Sequence, residues 1–158
     1  MLDETTAREW IGRLQRLWSE RIPLAGAMQV EIRSLDERGL GLVAPLAPNR
    51  NHVGTAFGGS LQGLATLAGW GATLVTAGPR PGVGVVVAEA RTRFIAPVTG
   101  EIAALAAWPP EEVAAAFRDE LATHGRARLQ VEVVLSGPGA PVAAQFSGRF
   151  VARQSAPA

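Results

Sequence analysis

Asn51-His52-Val53-Gly54-Thr55-Ala56-Phe57-Gly58-Gly59-Ser60-Leu61 opens a run that reaches Pro79 without one Asp, Glu, Lys or Arg. A polar, glycine-bearing turn leads directly into residues that are mostly small or apolar up to Ala77. A helix that is apolar all round must be wrapped by other structure. Its first turn carries backbone N–H groups with no intrahelical partner. With the Asn51 turn set beside them, those groups make a place to stabilise negative charge on a bound carbonyl or carboxylate. The pattern therefore predicts one buried helix over residues 57–77. Gly59, Gly63, Ala65, Ala68, Gly69 and Ala72 keep that helix slim. A mid-helix glycine costs roughly 1 kcal/mol relative to alanine. Such residues therefore imply close approach of another backbone, as when a sheet curls around the helix. The segment Gly78-Pro79-Arg80-Pro81-Gly82 stops it.

On the N-terminal side, Trp10, Leu14, Leu17 and Trp18 recur at helical spacing and predict an amphipathic helix over 6–21, with Thr6 and Glu9 in a capping-box pattern. Pro23 ends it. Ala27 to Arg33 alternates through Met28, Val30 and Ile32 and reads as a strand, as does Gly39 to Ala44. On the C-terminal side, a long strand is expected from Gly84 to Ala96. Val86, Ala88, Ala90, Thr92 and Phe94 should share one face, and Glu89, Arg91 and Arg93 the other. Glu101 to Trp108 is a further strand. Pro110-Glu111-Glu112 starts a surface helix over 110–124, which Gly125 closes. Arg126 to Ser136 alternates cleanly, Val142 to Ala152 is the last strand, and Ser155 to Ala158 reads as a frayed tail. Residues 1–158 read as a single domain of α+β class. Six mostly antiparallel strands curl round one central helix, which is the hot-dog architecture.

Composition narrows the chemistry. In 158 residues there is no cysteine, so disulfides, thiolate metal sites and a cysteine nucleophile are excluded. All fifteen basic residues are arginine, which removes Schiff-base chemistry on lysine. A net charge of +1 does not suggest a nucleic-acid partner. No cofactor and no metal are called for. The N-terminus lacks the charged and apolar segments of a signal peptide. Seven glycines with Asn51, His52 and Gln62 argue against a membrane span in the charge-free run. The expectation is a cytoplasmic protein with no membrane partner.

The order of elements resembles the hot-dog superfamily of acyl-thioester enzymes, and Arg93 to Glu101 is similar to the strand-turn-strand that follows their central helix. Asn51 and Gly54 to Leu61, with Leu67-Ala68-Gly69-Trp70-Gly71, resemble more closely a proteobacterial family of thioesterase-like proteins. Members stand alone or lie behind an acetyltransferase domain, and some are malonyl-acyl carrier protein decarboxylases. The resemblance implies a thioester of CoA or of acyl carrier protein as substrate. It also implies a homodimer or dimer of dimers in which the long strand pairs with its partner copy. Hydrolytic relatives of the phenylacetyl-CoA type follow the pattern Asn-x-x-Gly-x-x-His-Gly-Gly, with an aspartate seven residues later. Asn51, Gly54, Gly58 and Gly59 match. Phe57 stands in place of the histidine and Thr66 in place of the aspartate.

Gly58 and Gly59 are expected to present N–H groups to a thioester oxygen as charge develops on it. Asn51 either orients that carbonyl or a carboxylate, or closes an Asx turn. His52 is a general base or a solvent-facing loop residue. Thr55, Ser60 and Thr66 are hydroxyls that contact substrate or bond back to their own turn, and Phe57 is expected beside the substrate. Glu89 either approaches a second subunit's site or pairs with an arginine. Arg91, Arg93, Arg126 and Arg128 lie on outward faces, free to meet an acidic carrier protein or CoA phosphate, or only solvent. Decarboxylation of a malonyl thioester needs no base; hydrolysis needs an activated water or a nucleophile. The missing histidine and aspartate favour decarboxylation over hydrolysis. A non-catalytic acyl-thioester binding module is the third reading.

Overall fold

Alternating sequence becomes a six-stranded sheet in the computed structural model, which describes residues 3–155. The chain runs α1 (Glu4–Arg21), α2 (Pro23–Ala27), β1 (Glu31–Asp36), β2 (Gly39–Ala44), α3 (Gly58–Ala77), β3 (Val83–Phe94), β4 (Ile102–Ala107), α4 (Glu111–His124), β5 (Arg126–Gly137) and β6 (Ala140–Gln154). A 3-10 turn over Ala47–Asn49 precedes the Asn51 loop. Strands lie in the order β1-β2-β4-β5-β6-β3, every neighbouring pair antiparallel. This is the expected α+β hot-dog arrangement, with α3 packed into the curl of the sheet.

α3 begins at Gly58, one residue later than its pattern suggested, and from Leu61 onward most of its residues are buried. Its glycines serve close packing. A Cβ at Gly69 would stand 2.6 Å from the Phe150 ring of β6, and one at Gly71 would stand 2.6 Å from Leu40 of β2. One stripe stays open: Gly59, Gln62, Gly63, Thr66 and Trp70 are exposed or half-buried. They recur at the three- and four-residue spacing of a single helix face.

Three local readings are corrected. α1 is capped by Asp3, whose Oδ1 accepts from the Thr6 N–H at 2.8 Å, so the capping box at Thr6 and Glu9 is displaced by three residues. Residues 23–27 form a short helix with Pro23 in its first turn, and the first strand starts only at Glu31. That leaves Met28 buried at the helix end rather than on a strand face. In β3 a bulge falls between Val87 and Glu89. An extra residue in a strand swaps the faces beyond it. Val86, paired with Val151, therefore shares the outer face with Glu89, Arg91 and Arg93. Ala90, Thr92 and Phe94 line the inner one with Val85 and Val87. Residues 156–158 of the expected tail lie outside the described residues. Among the described residues no helix is long and apolar enough to cross a membrane.

Candidate active site

The Asn51 loop is built by its own side chain. Asn51 Oδ1 accepts from the N–H groups of Val53 (3.0 Å) and Thr55 (3.1 Å), and Asn51 Nδ2 donates to Thr55 Oγ1 (2.9 Å). The backbone closes the same ring, with Asn51 N–H on Thr55 O at 2.7 Å and Gly54 N–H on Asn51 O at 3.2 Å. Gly54 takes a φ of 85°, which L side chains rarely adopt. Asn51 thus closes an Asx-type turn, with one amide hydrogen left over. Asn49, only 1% exposed, ties this loop down. Its Nδ2 donates to Met28 O and Pro45 O at 2.8 Å each, and its carbonyl accepts the Phe57 N–H at 2.7 Å. Asn49 Oδ1 is buried without a hydrogen-bond partner among the described residues. Sequence reasoning missed Asn49 as the anchor, since a lone asparagine after a proline reads as a turn.

Phe57 is the N-cap of α3, and its side chain makes no capping hydrogen bond there. The Leu61 N–H makes the first intrahelical bond, to Phe57 O. The N–H groups of Gly58, Gly59 and Ser60 are therefore left for a ligand. The Phe57 ring lies across Gly59, where a Cβ would meet its Cε1 at 2.4 Å. Phe57 is 56% exposed and Phe94 54%. The Phe94 ring stands beside Gly58, 3.4 Å from where its Cβ would be. Two grooves meet here. One, about 590 Å³, is lined by Ile22, Leu24, Gly58, Gly59, Gln62, Gly63, Thr66, Leu67 and Phe94. The other, about 330 Å³, lies between Ala56, Leu61 and the Phe94–Pro97 segment. None of these side chains is titratable. The polar groups of the larger groove are Gln62, Thr66 and the helix N–H donors. Thr66 Oγ1 donates to Gln62 O at 2.8 Å, a bond back to its own turn.

The remaining candidates separate. His52 is exposed on the loop and lines neither groove. Ser60 is half-buried and its side chain lines neither. Thr55 is held within the Asn51 ring. Glu89 pairs with Arg149 at 2.6 Å on the outer face of the sheet. Arg91, Arg93, Arg126 and Arg128, distant in sequence, share that face, the first two toward one end of the strands and the last two toward the other, and the register adds Arg149 and Arg153. Six arginines stand there against Glu89 and Glu132, net +4, whereas the whole chain sums to +1. Glu132 is held by Ser147 (2.7 Å) and Gln130 (3.3 Å) rather than by an arginine. Among the described residues no group of His, Asp and Glu has the arrangement of a metal site. A cavity of about 390 Å³ at the other end of α3, beside Thr76 and Trp108, has its Arg118 already engaged by Glu111.

Comparison with known proteins bears on this geometry. The family described as "Putative thioesterase (yiiD_Cterm)" matches residues 11–154. The fold superposes on a protein of unknown function from Chlorobaculum tepidum TLS at 33% identity, covering 94% of this chain and 97% of that one, with a TM-score of 0.88. It superposes on a putative thioesterase from Shewanella oneidensis at 31% identity, covering 94% and 99%, with a TM-score of 0.81. A Pseudomonas aeruginosa protein described as a probable thioesterase, at 24% identity and a TM-score of 0.76 over 91% and 95% of the two chains, shares the fold.

Proposed function

The chain belongs to this thioesterase family and is an acyl-thioester enzyme, and from that premise we propose that it removes carbon dioxide from a malonyl thioester. One observation carries the choice of reaction: both grooves at the start of α3 are lined without a single titratable side chain. Hydrolysis requires a base for water or a nucleophile. Decarboxylation requires neither. The bond between the methylene and carboxylate carbons breaks, and carbon dioxide leaves. The electron pair passes into the thioester as an enolate whose oxygen carries the charge. Protonation of the methylene carbon from water yields the acetyl thioester. The N–H groups of Gly58, Gly59 and Ser60 are preorganised donors for that oxygen, and Asn51, whose side chain lines neither groove, has one spare amide hydrogen to offer a substrate that overlies its loop. The apolar rings of Phe57 and Phe94 favour a step in which the carboxylate loses its charge.

A second copy completes this reading. β3 is a twelve-residue edge strand with an unpaired side, and the exposed Phe94 stands at its end. Such edges are templates for pairing. A homodimer joined there covers the open stripe of α3. The arginine face suits an acidic carrier protein or the phosphates of CoA. Hydrolysis is the second reading, favoured by the family's description, with His52 as its only histidine near the site. Mass spectrometry of malonyl, acetyl and longer acyl carrier proteins after incubation decides between them. Loss of carbon dioxide from the malonyl form alone is expected. Loss of the whole acyl group from the acetyl form would make the enzyme a thioesterase.

A further inference from the structure

We propose that Gln62 is the residue that grips the free carboxylate of the substrate. The inference rests on the decarboxylase reading and gives it the source of its selectivity. Gln62 lies on the open stripe of α3, one turn after the helix start, and lines the larger groove. Helical side chains lean back toward the N-terminus, over the residues three and four positions earlier. For Gln62 those residues are Gly59 and Gly58, the two glycines at the helix start. From the facing wall, Thr92 Oγ1 of β3 donates to Gln62 Oε1 at 3.3 Å. With its oxygen engaged by Thr92, the amide keeps two Nε2 hydrogens to donate, and among the described residues they have no protein partner.

The spacing suits a malonyl group. Its thioester oxygen and its carboxylate are two carbon–carbon bonds apart, and the helix start and the Gln62 amide are one side-chain length apart. The charge type suits the reaction as well. An arginine at position 62 would bind the carboxylate so strongly in the ground state that its loss would be opposed. A neutral amide orients it and releases it, which is the differential binding that catalysis requires. The hydroxyl at Thr66 is turned back to Gln62 O and does not compete for the carboxylate.

The test separates binding from turnover. Stable analogues in which an amide N–H replaces the thioester sulfur, a malonamate ending in a carboxylate and a propionamide ending in a methyl group, are titrated calorimetrically against wild type, Gln62→Leu, Gln62→Glu and Thr92→Val. Wild type is expected to prefer the carboxylate analogue about tenfold, as one charge-assisted hydrogen bond allows. Gln62→Leu should abolish the preference without weakening the methyl analogue. Gln62→Glu should reverse it, and Thr92→Val should weaken it. Thermal melts check that each variant is folded. With malonyl thioester, Gln62→Leu should raise KM and lower kcat together. A wild type without the preference, or a Gln62→Leu variant that keeps it, overturns the assignment. If the preference and its loss are seen but wild type releases no carbon dioxide, the decarboxylase reading fails while Gln62 stands as the carboxylate-binding residue.

Discussion

At the scale of the residue, two glycines on one helix make opposite predictions. A Cβ at Gly69 would meet the fully buried Phe150 ring at 2.6 Å, with sheet behind it. Gly69→Ala should therefore destabilise by about 1–3 kcal/mol, seen as a clear drop in melting temperature. A Cβ at Gly59 would meet Phe57 more closely still, at 2.4 Å, but that ring is exposed and free to swing. Gly59→Ala should melt like wild type while its turnover changes, because the displaced ring moves across the donors. Equal melting losses for the two would remove the distinction. His52 tests the missing base. Turnover of a malonyl thioester should be flat across neutral pH, since decarboxylation draws on no base. His52→Ala should leave it within about twofold. A limb near neutral pH that vanishes in the variant would move the reaction to hydrolysis.

At the scale of the element, the Asn51 loop and the α1 cap show what side chains do for the backbone. Asn51→Ala removes three side-chain hydrogen bonds from the loop that presents Gly58. It should lower both stability and activity, the latter by about 10²-fold if the donors are misplaced. Asn51→Asp keeps the two accepting positions and loses the donor. It should melt near wild type yet stay impaired, which separates building the loop from donating to substrate. Asp3 makes a pH prediction. Its carboxyl is held below the ordinary value, mainly by the Thr6 N–H and then by the Thr6 hydroxyl. The stabilisation it lends α1 is thus present at neutral pH and is lost as pH falls through that lowered value. Asp3→Asn should remove this acid limb from a melting profile. The same elements show what the sequence made legible. α3 stood out because twenty-nine residues without charge allow little else, and β5 because its alternation is unbroken. The bulge in β3 was hidden because Val85, Val86 and Val87 are all apolar, so no change of face leaves a trace. Residues 23–27 are too few for a helical period to appear. Gln62 was one polar residue in an apolar run, and only the open stripe and Thr92 across the groove give it a purpose. The arginine face rests on pairing between strands far apart in the chain.

At the scale of the whole molecule, the unpaired side of β3 predicts self-association. Analytical ultracentrifugation should give at least two copies, with activity per chain falling on dilution below the dissociation point. A fully active monomer would refute it. The arginine face predicts dependence on ionic strength. For carrier-bound malonyl substrate, KM should rise with salt and rise about tenfold or more in the combined Arg91→Glu, Arg93→Glu, Arg126→Glu and Arg128→Glu variant. Malonyl on a small uncharged thiol should be indifferent to both. The strand order has one more consequence, for the time at which the enzyme comes into being. β3 holds one wall of the groove, yet its partner in the sheet is β6, the last strand of the chain. A ribosome finishing β4 has released the apolar α3 with two of the six strands of its sheet still unmade. Until β6 emerges, β3 lacks the strand it pairs with. During synthesis the nascent chain must shield an oily helix that the finished protein covers, and this is the interval in which a chaperone has something to hold.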